Sequence, residues 1–346
     1  MEDTSFTREN VTEPAAAAEE ARIAVPDASV NTQPEQKSKK KRSKVHRVNA
    51  IMVWIMMAPG LLYLLINNFL PLYGLTMAFR EPDFSLDSVL LSPFNGFENF
   101  EFIFQDPTIW LYVRNTVLYN LVFMALNIVI PITVAVLFTL IRSKWAKKTY
   151  QTCLLFPNLM SWVIVSYIAL ALFSNENGLI NAIIKACGGT GFDFYSEDAQ
   201  PYWPVILTLF NVWKTVGFQF LFYYSALLGI NPSLYEAAKL DGATYWQQVK
   251  YVSLPGIKPM IITLFVMGLA GMFRSDYGLF YLVTSNAGPL YPVTQTIDTF
   301  VFNALKGNGD FVSSSAVGLL QSVIGFILIV GANLVLRKVD KENALF

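Results

Sequence analysis

Histidine is all but missing from this sequence. There is one, His46, in 346 residues, so a triad built on imidazole or a zinc site built on histidine ligands has nothing to draw on. Cysteine is nearly as scarce. Cys153 and Cys187 are the only two; the topology derived below puts them on opposite sides of a membrane, where they are expected to stay unpaired and without a catalytic role. Charge is short as well. Only 14% of residues are Asp, Glu, Lys or Arg, against about 25% in a soluble domain, so roughly half the usual solvating surface is missing. Three motifs are also absent. Without G-x-x-x-x-G-K-[S/T] the chain cannot hold ATP in a P-loop, and without H-E-x-x-H or G-x-S-x-G a membrane protease or esterase has no support. No catalytic residue, metal ligand or cofactor site is assigned.

Apolar side chains take the place of the missing charge, at 54% hydrophobic and 14% aromatic. They fall into runs near or above about 18 residues, the length of a bilayer-spanning helix and well beyond the 9–11 residues of a spanning strand. The expected fold is all-α and polytopic, with six spans near 50–73, 115–141, 151–174, 203–230, 259–284 and 313–336. Residues 1–48 read as a separate tail, and 49–346 as the membrane domain. The first 36 residues are rich in Glu, Ala, Pro, Ser and Thr and are expected to be disordered. Then "KSKKKRSKVHR" abuts the first span. A cleaved leader would not follow so long a polar lead, and a basic cluster in this place is a topology signal and an anionic-lipid contact rather than a nucleic-acid patch.

Orientation follows from Lys and Arg. Seventeen lie in residues 37–47, 142–150, 231–258 and the C-terminal "RKVDKEN", whereas the alternate loops hold only Arg80, Lys185 and Lys306. Positive charge marks the cytoplasmic face, so both termini are expected inside, with loop 231–258 on the same side.

That loop contains "EAAKLDGATYWQQVKYVSLPG", an interruption of the apolar pattern. Ser233 with Glu236 three residues on reads as a capping box. Ala238, Gly242, Tyr245, Val249 and Val252 form one stripe, small in its first half and bulky in its second. Glu236, Lys239, Gln247 and Lys250 fall off the stripe and stay solvated. Gly242 weakens a helical turn by about 1 kcal/mol relative to Ala, which favours a bend there. Pro255, lacking an N–H, is expected to end the element after Leu254. Read by themselves, Glu236 is a helix cap, Gly242 a turn and Leu254-Pro255 a helix stop; each reading stays open beside a functional one.

"EAAKLDGA", with "LP" twelve residues after Gly242, resembles the EAA loop of permease subunits of binding-protein-dependent ABC importers. "FPNLMSWVIVSYIALALFSNENGLIN", "VWKTVGFQFLFYYSALLGINPSLYEAAKLDGA" and "NLVLRKVDKENALF" are similar to the carbohydrate-uptake branch, and most of all to permeases for polysaccharides or complex oligosaccharides. The resemblance covers the chain from about residue 50 onward. It implies the type I importer permease fold in a bacterial plasma membrane. It implies a cytoplasmic ABC ATPase dimer, a second and different permease subunit, an extracellular or periplasmic solute-binding protein, and a sugar as cargo. Carried onto this chain, it makes the helix 234–245 a ball in the ATPase socket. Glu236 would meet a basic residue there, Ala237, Ala238 and Gly242 would permit close packing, Asp241 and Ala243 would belong to the same coupling surface, and Leu254 with Pro255 would return the loop to the fifth span. Gln247 and Tyr251 depart from common family choices and read as subtype variation. An ABC permease for a non-sugar solute and an ion-coupled secondary transporter are the competing readings.

Ionisable residues inside spans are costly and tend to face an interior cavity. Lys214, Arg274 and Asp276 qualify. At about 1.5 Å per residue, Lys214 lies about 16 Å from the outer end of its span and Arg274 about 22 Å from the inner end of its own. Lys214 and Asp276 are expected to pair across the bundle, or else Arg274 and Asp276 reach the outer interface. Asn211, Trp213, Tyr223, Tyr224, Tyr277 and Tyr281 supply the aromatic faces and polar groups that sugar recognition needs, although aromatic residues in spans also serve packing and interface belts.

Overall fold

The computed structural model describes residues 44–81 and 92–339. The expected disorder of residues 1–36, most of the basic cluster and the end of the C-terminal tail lie outside them. By contacts the chain divides into Met1–Pro59 and Gly60–Phe346. The described part of the first unit is the start of helix α1, Lys44–Leu64, whose residues from Ile51 on are exposed. The regular structure in the described residues of the second unit is helical, apart from one isolated bridge between Arg80 and Phe94.

Four stretches are long and apolar enough to cross a membrane: Ile51–Phe79, Pro107–Thr139, Trp203–Leu228 and Phe311–Leu334. We label Pro107–Thr139 α2, Lys144–Leu159 α3, Trp162–Phe173 α4, Trp203–Leu228 α5, Pro232–Leu240 α6, Tyr245–Gln248 α7, Lys258–Ala270 α8, Ile297–Asn303 α9 and Phe311–Val339 α10. The expected third and fifth spans are not straight helices. α3 and α4 meet at 94°, and Tyr245–Gly256 meets α8 at 59°; counting each bent pair once gives up to six spans. The fifth differs further. Expected to run to 284, its α8 stops at Ala270 and an irregular segment carries the chain to a π-helical turn at Gly278–Val283.

The sequence dictates the α3–α4 bend locally. Pro157 removes an N–H from the last turn of α3, Met160 and Ser161 are both extended, and the Ser161 hydroxyl accepts from Ile164 N at 3.3 Å to start α4 afresh. The α3–α5 contact is equally local. A Cβ on Gly217 would lie 1.8 Å from Leu154 O, so glycine there lets two backbones touch. Close approach of this kind is how helices pack where lipid leaves little hydrophobic drive.

Three buried clusters fill the second unit. One joins Tyr119, Val165, Trp203, Leu207 and Phe280; a second joins Val136, Phe220, Tyr223, Val249 and Ile257; a third joins Ile109, Tyr112, Ile297 and Val317. α2, 33 residues long and about 50 Å end to end, runs past all three. Near its start Asn115 Nδ2 donates to Pro292 O and Gln295 O, and Tyr119 Oη to Val293 O. Near its other end Val136 O accepts from Tyr245 Oη at 2.9 Å. The 231–258 loop and the 286–310 segment therefore lie at opposite ends of one rigid rod.

Candidate functional site

Two features of the fold bear on function, one at each level of this rod. The first is the loop after α5. Its helix does not start as the sequence suggested: Asn231, not Ser233, is the N-cap, its side chain accepting from Ser233 N at 3.0 Å with Pro232 in the first helical position. Glu236 is thus free of any capping box, and its side chain is exposed. Nor is there one helix from 234 to 245. α6 ends at Leu240 and the chain reverses at Gly242, whose φ of +77° lies in the left-handed region. Gly242 N donates to Lys239 O at 3.0 Å and Ala243 N to Ala238 O at 2.9 Å, the paired bonds of a Schellman closure.

The capping box belongs to the next helix. Thr244 Oγ1 accepts from Gln247 N, and Gln247 Oε1 accepts from Thr244 N at 2.7 Å. Gln247 remains exposed, as expected, yet has this structural task. Pro255 does not end the element. The π-helical turn Val249–Ser253 has Leu254 N donating to Val249 O, the helix continues through Leu254–Gly256, and the bend falls at Ile257. The result is a stiff helix–turn–helix fixed by two side chains: Tyr245 to Val136 O, and the Tyr235 hydroxyl, 2.9 Å from Ser253 Oγ. Its outward surface carries Glu236, Ala237, Asp241, Gly242, Leu254 and Pro255, with Ala238 and Ala243 half-buried. Leu240 projects from the tip, 89% exposed. Sequence reading passed over it because an apolar residue in a polar loop looks like part of a buried stripe.

The second feature is where the two broken helices meet. Lys214, on the middle turn of α5, is only 7% exposed. Its Nζ donates to Pro157 O (3.3 Å), Asn158 O (3.2 Å) and Met160 O, covering carbonyls at the end of α3, where the regular helical ladder stops. A cation at a helix C-terminus also suits the helix dipole. The same Nζ lies 5.0 Å above the Trp162 ring. Trp162 in turn donates its indole N–H to Asp276 Oδ2 at 2.6 Å, and Asp276 Oδ1 accepts from Gly278 N at 2.8 Å, so this carboxylate starts the π-helical turn. A Cβ on Gly278 would lie 2.1 Å from Trp162 Cγ. A direct Lys214–Asp276 pair was one of the two expected arrangements; in the structure the two are joined through Trp162.

The irregular segment 271–277 is held from three sides. Asn120 Nδ2 on α2 donates to Met272 O (3.0 Å) and Arg274 O (2.9 Å). The Asp298 carboxylate accepts from Ser275 N and Ser275 Oγ. Gln321 on α10 donates to Phe273 O and to Asp298. Non-helical backbone at membrane depth survives only where protein buries it or water reaches it, and broken helices of this kind form solute sites in transporters. Arg274 and Asp276 lie on it with exposed side chains, and Tyr277 on its edge.

The other sequence candidates are placed as follows. Tyr277 stacks on Tyr281 at 4.7 Å, and both rings meet Phe302. Asn211 is buried and accepts from Asn127 on α2 at 3.2 Å. Trp213 turns away from Lys214, 42% exposed, into an apolar groove with Cys153 and Pro157. Tyr223 is fully buried in the second cluster, and Tyr224 stacks on Phe220 and meets Phe138 edge-on. Trp162, Asn120, Asp298 and Gln321 were not singled out beforehand. Asp298 and the amides carried a usable signal as polar groups in apolar surroundings; Trp162 carried none. Cys153 and Cys187 are both free and exposed.

A sequence profile described as "Binding-protein-dependent transport system inner membrane component" matches residues 127–341. The chain belongs to this family. It is a multi-pass membrane permease subunit. The permease is 30% identical over 308 residues to the polygalacturonan/rhamnogalacturonan transport system permease protein YteP of Bacillus subtilis (strain 168), covering 89% of this chain and 94% of that one. It is 31% identical over 291 residues to Protein LplB of the same organism, covering 84% and 90%. Among solved structures, a bacterial alginate ABC transporter in complex with an alginate pentasaccharide-bound periplasmic protein superimposes with a TM-score of 0.75, at 26% identity over 87% of this chain and 99% of that one. A bacterial ABC transporter for import of the acidic polysaccharide alginate gives the same score at 24% identity, which bears on the fold of the permease alone.

Proposed function

We propose that the permease imports an oligosaccharide or polysaccharide fragment, powered by a cytoplasmic ABC ATPase dimer that docks on α6. A second, different permease chain completes the pathway, and a solute-binding protein delivers the sugar. The observation that carries this reading is the rigid, outward-facing helix–turn–helix at 232–256, with Glu236, Ala237, Gly242 and Leu240 presented to a partner and Tyr245 tying it to α2. Closure of the ATPase would push α6, and the stiff loop would pass that displacement to α2 and α5 as a rigid-body movement. The relatives' names, polygalacturonan/rhamnogalacturonan permease and alginate importer, support the sugar class.

Within the pathway, the Lys214–Trp162–Asp276 junction would hold the breaks of the third and fifth spans in register, while Arg274 and Tyr277 present polar groups to the solute. The bias of Lys and Arg between alternate loops supports a cytoplasmic side for both chain termini and the 231–258 loop. The test is reconstitution of the permease with its partner chain, ATPase and binding protein in proteoliposomes. ATP-driven uptake of labelled oligosaccharide is expected, and Leu240→Asp should abolish it together with ATPase co-purification. Gradient-driven uptake by this chain alone would instead support a secondary transporter.

A further inference from the structure

At the end of α2 opposite the coupling loop, roughly 36 Å from Val136 to Tyr112 at 1.5 Å per residue, lies an open cleft of about 720 Å³. That volume falls within the range of small-molecule sites. Its floor holds Gln295, only 5% exposed, whose Oε1 receives no hydrogen bond from the protein. A buried acceptor left so is costly unless a ligand or solvent donor reaches it. Above it, Asn286 and Asn303 exchange reciprocal amide bonds at 3.2 and 3.1 Å. Asn286 is held there by an unusual backbone, since Ser285 and Asn286 both adopt positive φ (53° and 46°).

Two carboxylates, Asp106 and Asp310, also line the cleft. Each accepts one backbone bond, from Thr108 N and Ser313 N at 2.8 and 2.9 Å, through Oδ1. Neither forms an ion pair among the described residues. Lys306 is the cation of the cleft, its Nζ 5.7 Å above the Tyr281 ring and 5.6 Å above that of Phe302. The lining is therefore rich in acceptors, with two carboxylates against one ammonium and aromatic rings on the flank. Such a lining suits a ligand that donates many hydrogen bonds, presents an apolar C–H face and carries no negative charge.

We propose that this cleft is a saccharide subsite that takes a neutral pyranose through its hydroxyls, with Gln295 Oε1, Asp106 and Asp310 as acceptors and Lys306 and the Asn303 amide as donors. It is separate from the broken-helix junction and rests on the sugar-import reading above. A uronate ring is disfavoured here by the two carboxylates.

The test uses the full permease in its transporter complex in nanodiscs, probed by saturation-transfer NMR with neutral trisaccharides (galactotriose, maltotriose, cellotriose) and with trigalacturonate. Transfer to at least one neutral trisaccharide is expected, at least about fivefold above trigalacturonate, and reduced about fivefold by Gln295→Met or by Lys306→Met, the range that one lost hydrogen bond supplies. Lys306 is exposed, so its variant carries the test if the Gln295 variant misfolds. No transfer to any neutral sugar, stronger transfer to trigalacturonate, or indifference to Lys306→Met would overturn the subsite. Equal loss of affinity for the empty binding protein in these variants would assign the cleft to protein docking and overturn it too. ATP-driven uptake is measured in parallel: import without cleft binding retires the subsite alone, and cleft binding without import retires the transport reading alone.

Discussion

Lys214 is a charged side chain in the middle of an apolar helix, and its placement explains why it is tolerated. Its ammonium is turned onto three backbone carbonyls at the α3–α4 break, one of which, Pro157 O, also accepts from Met160 N at 3.2 Å. Lys214→Met removes the donor and leaves those carbonyls buried, so the solubilised protein should lose about 1–3 kcal/mol of stability, read as a lower thermal midpoint; an unchanged midpoint would refute the capping role. Gly278 faces Trp162 so closely that Gly278→Ala must displace the ring. Overpacking of this order costs about 1–3 kcal/mol. Truncating the ring in Trp162→Ala should make Gly278→Ala nearly neutral when the two are combined, and a double-mutant cycle measures that coupling. Lys214 and Asp276 were legible in the sequence as rare charges in apolar runs. The indole between them was not, because nothing in a tryptophan's neighbours announces which carboxylate it will reach.

For the coupling element, two substitutions at one position separate backbone from packing. Gly242 has φ +77°, and a Cβ there would meet nothing within 4 Å in this chain. Ala is small but pays about 1–2 kcal/mol in the left-handed region, whereas Asp visits that region more readily yet carries bulk and charge. If α6 sits in an ATPase socket, Gly242→Asp should abolish ATP-driven uptake and ATPase co-purification more completely than Gly242→Ala. If the residue only turns the chain, Ala should be the worse of the two. A second element-level outcome concerns Tyr245→Phe, which loses the bond to Val136 O. ATPase binding should persist while the coupling of hydrolysis to uptake falls, measured as sugar transported per ATP. The existence of this element was readable from its break in hydropathy. The bend at Gly242 was readable too, but the start of the element and the helical path through Pro255 were not, because Asn231, Ser233 and Thr244 are all competent caps and the choice among them depends on where α5 delivers the chain.

Across the whole molecule the alternation of basic and non-basic loops makes a topological prediction. Impermeant maleimide applied to intact cells should label Cys187, and should spare a Leu240→Cys residue in a Cys153→Ser, Cys187→Ser background until the membrane is opened. Labelling of position 240 from outside would invert the orientation and remove the ATPase reading with it. At this scale the amino-acid order by itself determined a great deal: helices rather than strands, their approximate places, a membrane environment and one polar loop unlike the rest. Run length, charge bias and local motif are properties of neighbours along the chain, and hydrocarbon leaves helices few alternatives. Only the tertiary structure decided that the breaks of the third and fifth spans face each other, and that Trp162 and Lys214 join them. Those outcomes depend on contacts between residues 50 to more than 100 positions apart, where a glycine on one helix admits the backbone or ring of another, and no local pattern encodes such a meeting.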